Sequence, residues 1–137
     1  MAEFLKVLSN DAQGHNDVKL YFVHGASGNI TADTTAPVFI APVAGRIVNV
    51  VGNLTVNGED GTDAFSLAFD VKKNGTSVAS TLPAIAKAAG SGQKDTFAAG
   101  TGITQAVLKT DGSEIVAAGD AITVVYDITR TTPEVEA

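Results

Sequence analysis

The amino-acid sequence predicts an all-β fold, a single-domain two-sheet sandwich of jelly-roll-like form with about eight strands. Three observations predict it. Valine and isoleucine together number 24 against 7 leucines, with 15 threonines, and β-branched side chains lose rotamer freedom in helices but pack well on a pleated surface. Two stretches alternate apolar and polar residues with the period of two that gives a sheet one buried face. Asn-Gly, Asp-Gly and Gly-Asp pairs then punctuate the chain at hairpin spacing. At 137 residues the chain is long enough for one buried core. The expected organisation is an N-terminal arm over 1–16, a β-sandwich domain over 17–130 and a C-terminal tail over 131–137.

The elements follow in order. DVKLYFV (17–23), PVFI (37–40) and RIVNVVGNLTV (46–56) read as strands, the last opened by a Pro42–Gly45 turn and weakened by Gly52, which predicts a bulge. FSLAFDVK sets Phe65, Leu67, Phe69 and Val71 on one face. Asn74-Gly75 then fits a two-residue type I′ turn, whose two central residues both need positive φ. Pairing Lys73 with Thr76 places Val71 opposite Val78, so turn chemistry and hydrophobic register agree. LPAIAKAA (82–89) fits one or two helical turns, with Pro83 early and Gly90 as cap, about as well as an extended crossing. QAVLKT, SEIVAA and AITVVYDIT complete the strands, the last with Ile122, Val124, Tyr126 and Ile128 on its inner face.

Composition narrows the function classes. There is no cysteine, which removes disulfides and thiolate metal sites. Net charge is −6 and the basic residues are scattered apart from Lys72 and Lys73, so no stripe tracks a phosphate backbone and nucleic acid is not an expected partner. The start, MAEFLKVLSND, carries Glu3 and Lys6 within its apolar stretch, and no run approaches 18 apolar residues, so neither a signal peptide nor a membrane association is expected.

Catalytic motifs fail on spacing. AAGSGQKDTFAAGTG (88–102) has glycines ahead of Lys94 and Thr96, but Gln93 separates Gly92 from Lys94 and an aspartate follows the lysine, unlike a phosphate-binding loop. It reads instead as a surface or interface loop whose small side chains allow close approach, with Lys94 as its contact residue. GASGN (25–29) departs from a nucleophile elbow because Gly28 follows Ser27 directly. His15 and His24 lie beside strands rather than at ligand spacing. Glu59, Asp60 and Asp63 match no calcium loop and read as a solvated tip. The N-x-Ser/Thr triplets at Asn29, Asn53 and Asn74 are explained by turn and strand chemistry. The expectation is therefore a non-enzyme with no catalytic, cofactor or metal site. Phe4, Leu5, Val7 and Leu8 form a short apolar stretch that is costly to leave in water. They are expected to be buried against the rest of the fold, another copy or the capsid, and the polar run from Ser9 to Asp17, read as a tether, favours another chain.

The order APVAGRIVNV, VKKNGTSVAS, TLPAIAKAAG, TGITQAVL and VAAGDAITVVYDITRTTPE, over about residues 36–133, resembles the small capsid decoration (cement, head-stabilising) proteins of tailed bacteriophages. The most telling parts are the A-P-V-A-G turn, the G-D-A-I entry to the last strand and the T-R-T-T-P close. The resemblance implies a structural virion protein made in the host cytoplasm and bound to the outer capsid surface as a homo-oligomer, a dimer or trimer. There it would cement neighbouring major capsid protein subunits. The competing expectation is a glycan- or receptor-binding module of a fibre or lectin. It is disfavoured because the chain has no tryptophan, two tyrosines and six phenylalanines, most of them at inward strand positions.

Overall fold

The computed structural model describes residues 3–10, 17–24, 34–35, 39–57 and 65–130. The chain is all-β, its ladders antiparallel, with a single 3-10 turn among the described residues, at Lys87–Ala89. In chain order the strands are β1 Glu3–Asn10, β2 Asp17–His24, β3 Thr34–Thr35, β4 Phe39–Ile40, β5 Gly45–Arg46, β6 Asn53–Asn57, β7 Phe65–Lys73 and β8 Thr76–Ser77. They continue with β9 Ala79–Thr81, β10 Ala84–Ala86, β11 Gly92–Asp95, β12 Ile103–Thr104, β13 Val107–Leu108, β14 Ile115–Val116 and β15 Ala121–Arg130. FSLAFDVK, AITVVYDIT and DVKLYFV are present at full length, while RIVNVVGNLTV, QAVLKT and SEIVAA are cut into shorter segments.

A seven-stranded sheet runs β12-β10-β7-β15-β3, with β4 also on β15 and β8 on β7. Its spine is β7 against β15, in a register that sets Val124 opposite Val71, Tyr126 opposite Phe69 and Ile128 opposite Leu67. The two apolar faces read from the sequence are therefore one face of one sheet. Leu67, Phe69, Ile85 and Tyr126 form the main core, with Leu54, Ala89, Val124 and Ile128 against it. Phe69 and Tyr126 meet edge to face at 5.9 Å, the arrangement favoured by ring quadrupoles. Burial leaves the Tyr126 hydroxyl pKa above its ordinary value. Ala41, Val116 and Ile122 make a second cluster with Phe39, Ile47 and Val71. Burying a side chain such as Leu67, 2% exposed, stabilises the fold by roughly 1.5–3 kcal/mol.

The hairpin after β7 forms as expected. Lys73 pairs with Thr76, and φ is 49° at Asn74 and 85° at Gly75. The turn is also clasped to the entry of β15. Asn74 N–H donates to Ala121 O at 2.8 Å, Ala121 N–H donates to Asn74 Oδ1 at 2.9 Å, and Asn74 Nδ2 donates to Asp120 Oδ1 at 2.9 Å. Lys73 Nζ donates to the carbonyls of Ile115 and Gly112 at 2.7 and 3.2 Å. The ambiguous 82–89 segment divides: β10 crosses the sheet extended between β7 and β12, and the 3-10 turn follows, capped at Gly90.

Three expectations are corrected. RIVNVVGNLTV is two strands, β5 and β6, with residues 47–52 outside any ladder. Gly52 marks a close approach rather than a bulge: a Cβ there would lie 2.2 Å from the Phe69 ring. DVKLYFVH joins no strand of the seven-stranded sheet. It pairs with Glu3–Asn10 from Glu3↔His24 to Asn10↔Asp17, so the described part of the expected arm, residues 3–10, is a strand of that ladder. No helix among the described residues is long and apolar enough to cross a membrane.

Candidate interaction surface

The sequence-predicted contact residues fall in two places. Phe4, Leu5, Val7 and Leu8 lie in β1, opposite Val23, Phe22, Leu20 and Lys19 of β2. Lys94 lies in β11, opposite Leu54 of β6, and is half-buried. No described ladder joins these groups. Glu59, Asp60, Asp63, Ser27, Asn29 and His15 lie outside the described residues, as does the expected tail. Among the described residues no three His, Asp or Glu side chains gather as a metal site requires.

The 88–102 stretch is not the long loop that its composition predicts. GQKD is a strand because β6 offers it a ladder, with Asp95 opposite Asn53 and a register shift between Gly92 and Lys94. Asn57, buried at the far end of β6, fixes the preceding turn by donating its Nδ2 to Gly90 O at 2.8 Å and Ala86 O at 3.2 Å.

After Asp95 the backbone is held on every side. Asp95 Oδ1 accepts from Phe97 N–H at 2.9 Å, the local turn that a short carboxylate makes two residues on. Thr96 points inward and is 2% exposed. Its Oγ1 accepts from Gly52 N–H at 2.9 Å, and its own N–H donates to Gly52 O at 3.0 Å. Gln105 Nε2 donates to Phe97 O. Gly100 and Ile103 close the tip by exchanging both backbone bonds, at 3.2 and 3.0 Å.

The outcome is a fixed tip with one large side chain outside it. Phe97 is 71% exposed, and Ala98, Ala99 and Gly100 beside it are exposed and small. The loop tied to it through Gly52 repeats the pattern, with Val48 77% and Val51 47% exposed. Val43, Ile40 and Ile115 are also exposed around the β5–β14 ladder. Single exposed apolar residues are ordinary; here two loops joined by the Gly52–Thr96 bonds each carry exposed apolar side chains, which makes them the candidate surface.

Sequence reasoning read 88–102 as a surface or interface loop but named Lys94, not Phe97, as its contact residue. The available signal was a lone aromatic in an Ala/Gly tip just after Asp-Thr, an acceptor pair able to pin its backbone. The sequence matches no protein-family model, no curated protein and no solved structure, so these residues are the ground for any functional reading.

Proposed function

We propose that the chain is a structural virion protein that binds the outer surface of a phage capsid as a homo-oligomer and cements neighbouring major capsid protein subunits. A jelly-roll layering of its sheets belongs to the same proposal. The observation that carries it is Phe97. An exposed aromatic whose backbone is already fixed loses little entropy when it docks, and such residues anchor protein interfaces. The small neighbours allow a broad partner surface to close around it, as a clamp requires. The sequence resemblance to decoration proteins supplies the partner.

The test is cosedimentation of the purified chain with heads of the phage that encodes it, assembled without it. The expected result is saturable binding that raises the temperature at which the heads rupture. Phe97→Ala should weaken binding by about 30-fold or more, the loss of a hot spot, and Phe97→Leu by much less, since a socket accepts another apolar side chain. Absence of binding overturns the proposal.

One observation favours a second reading, a glycan-binding module. The Phe97 ring is exposed, and the Asp95 carboxylate and Gln105 amide bond its backbone, so an aromatic ring and polar side chains share one short segment. Sugar stacking requires the ring, so binding on a glycan array would be abolished by Phe97→Leu and strengthened by Phe97→Trp.

A further inference from the structure

The Asn74-Gly75 pair carries a chemistry that neither reading of the surface uses. An asparagine followed by glycine is the sequence most open to deamidation, because no side chain on the glycine shields its backbone nitrogen. Gly75 N attacks Cγ of Asn74, the N–Cγ bond forms, the Cγ–Nδ2 bond breaks and ammonia leaves with the proton from the Gly75 amide. Water then opens the cyclic imide at either carbonyl. The product is aspartate, or isoaspartate with the backbone rerouted through the former side chain. Both residues are exposed at the turn tip, so water has access.

The geometry opposes ring closure. The side-chain amide is held by two bonds of 2.9 Å, Ala121 N–H to Asn74 Oδ1 and Asn74 Nδ2 to Asp120 Oδ1, and moving Cγ onto the Gly75 nitrogen gives them up. Asp120 is itself held by Ala117 N–H on Oδ2 at 2.8 Å, so it does not follow the amide. The outcome of conversion is equally specific. Aspartate at 74 replaces the Nδ2 donor with an oxygen facing Asp120 Oδ1, two acceptors at hydrogen-bond distance. Isoaspartate lengthens the backbone of a two-residue turn and cannot keep Lys73 opposite Thr76.

We propose that Asn74 is a latent deamidation site, held closed by its clasp to Asp120 and Ala121, and that its conversion releases the β7–β8 hairpin from the start of β15. Two hydrogen bonds of ordinary net strength suppress the open form by about 30-fold, and reaction proceeds from that open form.

The experiment is incubation of the full chain in mildly alkaline buffer, with and without urea, followed by peptide mapping for acid and isoaspartate at position 74. Asn74 in the folded chain should convert about 30-fold more slowly than in the unfolded chain. Asp120→Ala should speed the folded-state reaction several-fold, with Asp120→Asn as the size-matched variant if the alanine form does not fold. Asn74→Asp should unfold at lower urea than the wild type. Equal rates in the folded and unfolded chain, or a folded-state rate indifferent to both Asp120 variants, would overturn the proposal.

Discussion

Thr96→Val tests the tie on which the Phe97 surface depends. The change keeps the shape of the side chain and removes one atom's chemistry, so almost no cavity forms. What is lost is the acceptor for Gly52 N–H, now at 2.9 Å. Gly52 is buried against the Phe69 ring, where water has no room to replace the hydroxyl. A buried donor left without a partner costs about 1–3 kcal/mol. At this chain length that corresponds to a fall in melting temperature of about 4–12 °C, readable by far-ultraviolet circular dichroism with a urea titration alongside. Thr96→Ser is the control. It keeps the acceptor and loses a methyl, at a cost of about 1 kcal/mol. The serine variant should therefore be the more stable of the two, the reverse of what apolar burial alone dictates. A valine variant as stable as the wild type, with serine below both, would show that the hydroxyl contributes nothing and that Phe97 is not held through residue 96.

Three further outcomes follow from the core and the clasp. Phe69→Ala should cost about 3–5 kcal/mol in denaturant stability, since it removes the Tyr126 edge contact and the ring packed on Gly52 together. Asn74→Ala and Gly75→Ala should each cost on the order of 1 kcal/mol: the second puts a Cβ at φ 85°, and the first leaves φ 49° to a residue that tolerates it less well than asparagine and loses the side-chain bonds to Asp120 and Ala121. Acid should loosen the same end of the sheet. The hydrogen bonds from Ala117 N–H and Asn74 Nδ2, aided by the Lys73 charge, hold the Asp120 pKa below its ordinary value. A carboxylate depressed by folding contributes stability that is complete above its unfolded pKa and is lost as pH falls through its folded one. The wild type should therefore lose stability below about pH 4 by a component that Asp120→Asn lacks; identical acid titrations of the two proteins would refute that role.

The parts of the fold that could be read in the sequence are those whose cause is local. FSLAFDVKK and AITVVYDITR alternate with period two, and Asn74-Gly75 carries its own turn geometry, so strands, turn and inner face followed from neighbouring residues alone. RIVNVVGNLTV looked continuous because its interruption is caused from afar: Gly52 gives both backbone groups to Thr96, 44 residues later. GQKD has no alternation to betray a strand and becomes one only where β6 presents free backbone groups. The N-terminal hairpin failed for a related reason. Both apolar runs were visible, but which strand a run pairs with is a choice among edges, and the polar residues Ser9, Asn10 and Asp17, taken for tether, close that ladder.

The candidate surface was harder still, for a physical reason that separates binding from catalysis. Catalytic chemistry needs particular residue types at constrained separations, and spacing can be searched for. A docking anchor needs only an apolar side chain that the fold fails to bury. Whether Phe97 is core or anchor is decided by the inward turn of Thr96 beside it, and Thr96 is tied to Gly52, whose missing side chain makes room for the Phe69 ring. Gly52 and Phe69, both distant in sequence, thus bear on the exposure of Phe97. Composition alone counts that aromatic as buried.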